Sequence, residues 1–293
     1  MRRILFIILA TFCFCIGCVS DYDGVLPESE KIPVLNGVLC ADSLLSINLT
    51  LSNHPIGKEF LPVENGVFRL KRNGVPISPS YTYSTDGTYT FTDTCFNGNI
   101  YEIEAEIPGY KTLNAKTVVP NKPDILLVES DKKENKRAAK IFELNIDSMG
   151  AEIHALYVFL FIGESDSNGN IRWDKRNIYC DSPFADSFNR FYDSWSPEGF
   201  IYEYENFVRF PVDNLIDNKL KSGLAFIGGS EITRFYIVAA AKEYDLYYKG
   251  GYLQRSFDPE VNLPFTYQPI FLLSNINGGA GIFSGIDLSV FDF

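Results

Sequence analysis

The sequence predicts a mainly β protein in two folded parts, and three observations carry that expectation. Short runs alternate apolar and polar residues with a period of two, the signature of half-buried strands. Turn residues separate these runs at roughly 8–12-residue intervals, as in a β-sandwich of immunoglobulin-like size. Midway along, Val119-Pro120-Asn121-Lys122-Pro123 places two prolines that stiffen the chain and cannot donate to a strand ladder, which marks a boundary.

In the first part, residues 32–121, Leu45, Ile47, Leu49 and Leu51 alternate with Ser46, Asn48, Thr50 and Ser52. Val67-Phe68-Arg69-Leu70 runs into Asn73-Gly74, a hairpin turn signal. Asp86-Gly87 opens the strand Thr88-Tyr89-Thr90-Phe91. Tyr101, Ile103, Ala105 and Ile107 then alternate with three glutamates until Pro108-Gly109 breaks the run.

The second part, residues 122–293, is expected to be β-rich with a few short helices. Strands are predicted at 124–129, about 140–147 and 155–163, with a charged loop from Asp131 to Arg137. Tyr157 to Ile162 is continuously apolar, so that strand is expected to be buried on both faces. Residues 164–210 read as an irregular aromatic segment. A short helix is predicted near 212–221, where Asp213 and Asn214 offer caps. Ile232 to Ala241 reads as another buried strand, and 243–254 as a helical turn ahead of Gly250-Gly251. Asn277-Gly278-Gly279 fits a turn requiring positive φ, with Ile282 and Phe283 opening a last strand.

The leader has its own pattern. Met1-Arg2-Arg3, an apolar run from Ile4 to Ile16 and Gly17 precede Cys18. A cationic start, a short apolar stretch and a small residue before the cut are the parts of a secretory signal. The run is too short to span a bilayer as a helix, which needs about 20 residues. With Cys at the cut, it resembles a bacterial lipoprotein signal. Residues 1–17 are then removed, and Cys18 carries the acyl chains at the head of a flexible tether, 18–31. Asp21 and Asp23 resemble the acidic export tag that routes Bacteroidetes lipoproteins to the cell exterior. Two departures stand out: Cys15 occupies a position where such signals usually carry Leu, and Cys13 and Cys15 are rival thiols.

Charge narrows the partners. The whole chain has a formal net charge of −11, and removing residues 1–17 takes away two arginines and no acid, leaving 24 basic against 37 acidic residues. That balance disfavours nucleic acid, which rewards clustered Lys and Arg, and offers no polybasic patch for anionic lipid. Export permits disulfides. Cys40 and Cys95 are able to pair if their strands are neighbours, leaving Cys180; the three are too scattered for a zinc site.

Two further stretches carry a family resemblance. Asp86-Gly87-Thr88-Tyr89, Tyr101 to Ala105 and Gly109-Tyr110 resemble the small carboxypeptidase-regulatory-like β-sandwich. Pro269 to Phe283 resembles the closing motif of a family of Bacteroidetes outer-membrane lipoproteins known only as a domain of unknown function. In that family a lipobox, a sandwich ending in a valine-proline pair and a terminal Asn-Ile…Gly…Phe motif recur together, here Cys18, Val119-Pro120 and Asn275 to Phe283. Its members are commonly encoded beside TonB-dependent transporters. The resemblance therefore implies a surface lipoprotein that helps such a transporter capture cargo, with the outer membrane and the transporter as partners. It carries no catalytic residues.

Catalytic motifs are sparse. The two histidines, His54 and His154, lie far apart and neither accompanies a G-x-S-x-G elbow. Glu164-Ser165-Asp166-Ser167-Asn168-Gly169-Asn170 has alternating oxygen ligands, but Lys175 occupies the position where a calcium loop needs a bidentate Glu, so a turn is expected. The chain is read as a non-enzyme with no cofactor and no metal centre. The strongest surface candidate is residues 173–210, with twelve aromatics in 38 positions, among them Trp173, Tyr179, Tyr192 and Trp195. Rings interspersed with charges suit a sugar face or a partner hot spot, and equally suit packing onto the sheet.

Overall fold

The computed structural model describes residues 30–53, 60–78, 80–130, 139–166, 169–192, 197, 199–228, 232–256 and 272–293. Cys18, Asp21, Asp23, His54, the Asp131–Arg137 loop and Trp195 lie outside the described residues. The protein is mainly β, with several sheets and a single α-helix among the described residues. Residues Lys31–Phe293 form one compact unit.

The first part contains β1 (Pro33–Cys40), β2 (Leu44–Leu51), β3 (Leu61–Pro62), β4 (Val67–Arg72), β5 (Val75–Ile77), β6 (Tyr81–Ser84), β7 (Thr88–Thr94), β8 (Ile100–Glu106) and β9 (Leu113–Val118). β5-β4-β8-β9 make a four-stranded sheet, and β1-β2-β7-β6 belong to a larger one. The period-two runs decide which residues fill the core: Leu45, Ile47 and Leu49 from β2 are fully buried with Phe68, Phe91, Tyr101 and Ile103. The β4–β5 hairpin turns on Asn73 (φ 53°) and Gly74 (φ 78°). Both central residues have positive φ, the two-residue turn whose twist matches the flanking strands.

The second part contains β10 (Ile125–Glu129), β11 (Ala139–Ile146), β12 (Ala155–Ser165), β13 (Ile171–Arg176), β14 (Ile178–Cys180), β15 (Arg190–Tyr192), β16 (Tyr202–Tyr204), β17 (Val208–Pro211), β18 (Leu220–Ile227), β19 (Ile232–Ala240), α1 (Lys242–Arg255) and β20 (Ala280–Asp292). A six-stranded sheet runs β10-β11-β18-β14-β16-β15. The large sheet runs β13-β12-β19-β20-β1-β2-β7-β6, with β17 also on β12 and β3 on β2.

β20 joins the halves. Ala280 to Ile286 pairs in parallel with β1, while Ile286 to Asp292 pairs antiparallel with β19. Its closing motif is locked from outside: the Asn275 side-chain amide donates to Phe283 O at 2.7 Å, and Phe283 N donates back to Asn275 Oδ1 at 2.9 Å. Ile276 and Phe283 thereby enter the core of the first part. The expected turn is present, with Gly278 at φ 90°.

The continuous apolar run of β12 is explained by two coverings. Leu156, Val158, Leu160 and Ile162 face the core shared with the six-stranded sheet. Ala155, Tyr157 and Phe159 lie in a separate cluster with Tyr244, Tyr248 and Tyr252 of α1.

Three expectations need correction. Residues 164–210 are not irregular throughout: β13 to β16 lie within them and β17 begins there. The helix expected near 212–221 is a three-residue 3-10 turn, Val212–Asn214. Asp217 (φ 53°) and Asn218 (φ 55°) then make a tight turn between bridged Ile216 and Lys219, and Leu220 opens β18. Asp and Asn tolerate left-handed backbone, so two in succession favour a hairpin over a helix. Finally, α1 runs through Gly250-Gly251 to Arg255. Each interior glycine costs about 1 kcal/mol, and packing of the tyrosine face at i, i+4 and i+8 outweighs it.

Candidate functional site

The densest polar arrangement in the described residues sits between α1 and the large sheet, centred on Asp245. The carboxylate is fully buried. Arg209 on β17 meets it with two hydrogen bonds, Nε to Oδ1 at 2.7 Å and Nη2 to Oδ2 at 2.6 Å. The Tyr157 hydroxyl on β12 donates to Oδ1 at 2.6 Å. His154, just before β12, places Nδ1 at 2.6 Å from Oδ2. The third guanidinium nitrogen of Arg209 reaches Asp186 at 2.6 Å, and Lys249, one turn along α1, reaches the same carboxylate at 2.7 Å.

Burial alone would raise the Asp245 carboxyl. The hydrogen bonds from Arg209 and Tyr157, with the Arg209 charge, outweigh it and hold the group below the ordinary carboxylate range. Asp186 is held low likewise, burial being overcome by its hydrogen bond and charge contact with Lys249. Tyr157 is pushed up, first by burial and then by the Asp245 charge. These groups therefore stay fixed in charge near neutral pH. The His154–Asp245 pair has the base-and-orienter look of a catalytic dyad, but a triad also needs a nucleophile beside the imidazole, and none is seen there among the described residues. What the arrangement does is tie α1 to β12, β17 and the 181–189 loop.

The aromatic candidates divide. Trp173 on β13 lies under the Arg234 guanidinium, 4.3 Å from its ring, and Arg234 is held by Asp292 at 2.6 and 2.9 Å. Tyr179 on β14 is buried with Phe200 and Ala225. Tyr192 on the edge strand β15 is 70% exposed. Trp173 thus belongs to the large sheet, while Tyr179 and Tyr192 belong to the six-stranded one. Other rings of 173–210, Tyr204, Phe207 and Phe210, are core residues.

Beside the Asp245 network lies a cavity of about 490 Å³. Phe207, Tyr248 and Tyr252 supply its rings, and Lys175, Arg255 and Glu205 its charges. Lys175, Glu205 and Phe207 fall within the aromatic segment; α1, read as a helical turn, supplies Tyr248, Tyr252 and Arg255.

Cys40, Cys95 and Cys180 are free thiols. Burial pushes Cys95 and Cys180 each up to about 12, which makes them poor nucleophiles. In the Glu164–Asn170 stretch, of which Ser167 and Asn168 lie outside the described residues, Asp166 accepts from the Asn170 backbone at 2.9 Å and from its side-chain amide at 3.1 Å. No cluster of three metal-ligating side chains occurs among the described residues.

The Asp245 network escaped the sequence reading, although two signals were present. Arg209 interrupts the apolar run Phe207-Val208-Arg209-Phe210, and Asp245 sits among regularly spaced tyrosines. No protein-family model and no curated protein sequence matches the chain.

Proposed function

We propose that the protein is a lipid-anchored outer-membrane protein whose folded body captures cargo for, or docks onto, a TonB-dependent transporter at the cell exterior. The observation that carries this is the order of residues 2–23: Arg2-Arg3, an apolar run, Gly17-Cys18, then Asp21 and Asp23, ahead of one compact β unit. In this reading Cys18 is the anchor, because each buried acyl methylene adds about 0.8 kcal/mol and two chains hold firmly where one does not. Asp21 and Asp23 route the protein outward. The first part would be the carboxypeptidase-regulatory-like, immunoglobulin-sized sandwich, and its two packed sheets support that assignment. The protein is read as a binder: its one described histidine is spent on holding α1 in place.

A second reading, a structural or adhesive surface protein without soluble ligand, draws support from exposed Phe191 and Tyr192 on edge strand β15. Edge strands with bare rings favour pairing with another surface.

Palmitate labelling and membrane fractionation test the anchor. The wild type is expected to take up label and sediment with envelopes, and Cys18→Ser to lose both. An unlabelled wild type sinks the proposal. Co-purification of a TonB-dependent transporter with the tagged protein separates the capture reading from the adhesive one.

A further inference from the structure

The cavity beside α1 has a charge pattern that runs against the rest of this acidic chain. Lys175 on β13 and Arg255 in the last turn of α1 line it together. Neighbouring Arg172 and Arg176 pair with Glu164 and Asp174. Among the described residues, neither Lys175 nor Arg255 has such an acidic partner. The Lys175 ammonium instead lies 4.8 Å from the centroid of Phe159 and 6.0 Å from that of Phe207. Partial loss of water contact against those rings, and then the nearby Arg255 charge, lower its pKa. In a chain with 37 acids and 26 bases, two adjacent cations without an acidic partner among the described residues form a seat for an anion from outside.

The opposite wall limits what that anion is. Glu205 accepts the Tyr252 hydroxyl at 2.7 Å, so a fixed carboxylate faces into the same space, beside the side chain of Asn206. A second acidic group on the ligand would be repelled there, while hydroxyl groups would find acceptors. Half-buried Tyr248 and Tyr252 add ring surface, with buried Phe207 behind them, and rings beside hydrogen-bonding groups fit the apolar face of a sugar. The volume, about 490 Å³, lies within the ~300–1,000 Å³ of small-molecule sites.

We propose that this cavity binds a sugar acid, its single carboxylate held between Lys175 and Arg255 and its hydroxyls turned toward Glu205 and Asn206. This names the class of cargo and rests on the reading of the chain as a capture protein. The ligand's carboxylate takes the place of the acidic partner that the described residues do not supply.

Calorimetric titration of the lipidated protein in detergent, at low salt, tests it with glucuronate and galacturonate as probes and glucose as the neutral control. At least one uronate is expected to bind, with glucose at least ~10-fold weaker and the uronate affinity falling as salt screens the charges. Lys175→Met combined with Arg255→Gln is expected to weaken the uronate at least ~10-fold. Both side chains are exposed, so an unchanged melting temperature shows that the double variant is folded. The proposal is overturned if neither uronate binds, if glucose binds as tightly, or if the double variant retains the wild-type affinity. A failed titration leaves the Cys18 fractionation result standing, and a failed fractionation leaves the titration readable.

Discussion

Arg209 and Asp245 face each other through two parallel hydrogen bonds of 2.7 and 2.6 Å, with the Asp245 side chain fully buried and that of Arg209 5% exposed. This fork fixes α1, the one helix among the described residues, against the strands beneath it. The tyrosine face of α1 supplies the apolar contact, but rings alone tolerate sliding. The planar guanidinium against a carboxylate sets one position and one rotation.

Breaking that fork from either side is expected to be costly. Asp245→Asn leaves the buried guanidinium with Asp186 as its remaining carboxylate partner and two of its donors without a charged acceptor, and Arg209→Met leaves a buried carboxylate without its countercharge. Each should lose about 3–5 kcal/mol, the usual cost of orphaning one partner of a buried pair. The double variant should lose less than the sum, since the two residues share one interaction. Urea unfolding monitored by circular dichroism measures all three, and strictly additive losses would remove the fork from the account of stability.

Acid should act through the same carboxylates. Asp245 and Asp186 have folded-state pKa values held below the ordinary range. A depressed carboxylate contributes stability that is complete above its unfolded value of about 4. That contribution is lost as pH falls through the lower folded value. The urea midpoint is therefore expected to fall as the pH drops below about 4, with a shallower fall in Asp245→Asn. Identical acid profiles for variant and wild type would contradict this.

Gly285 is expected to tolerate no side chain. A Cβ there would stand 2.0 Å from Val118 O and 2.7 Å from Val119 Cα, both backbone atoms that cannot step aside. Gly285→Ala should therefore pull β20 off the first part and cost well over ~2 kcal/mol, beyond the usual range for surface changes. Gly74→Ala is the contrast: φ is 78° but nothing lies within 4 Å, so only backbone strain of about 1 kcal/mol is expected. Thermal melting of both variants ranks them, and equal losses would show that close approach at Gly285 is not what matters.

Local pattern carried much of the fold. The alternation in β2 and β8, the Asn73-Gly74 hairpin, and the strands β11, β12 and β19 are all visible as period, propensity and turn chemistry among neighbours in sequence. The turn at Gly278 is legible for the same reason, since positive φ is a property of one residue and its immediate chain. The prediction of a helix at 212–221 erred because its apolar spacing is also compatible with a strand beginning at Leu220, and Asp217-Asn218 decides for the turn.

The candidate site was far less legible. Trp173, Tyr179 and Tyr192 are equally aromatic in the sequence, yet one lies under an arginine, one is buried and one is exposed. Burial depends on which sheet a strand joins, and short strands such as β14 and β15 carry too few residues to announce it. His154 and Asp245 are 91 positions apart, and Lys175 and Arg255 meet at one cavity from β13 and the end of α1.

By itself the sequence determined the mainly β class, the positions of strands such as β2, β4, β7, β8, β11, β12 and β19, and the turns at Asn73-Gly74 and Gly278, because each is written in residues close along the chain. Tertiary structure alone decided that β20 pairs with β1 on one half and β19 on the other, that Arg209 finds Asp245, and that two cations share a cavity. Those contacts form between distant segments brought together by burial of apolar surface, and nothing in the local pattern of either segment names its partner.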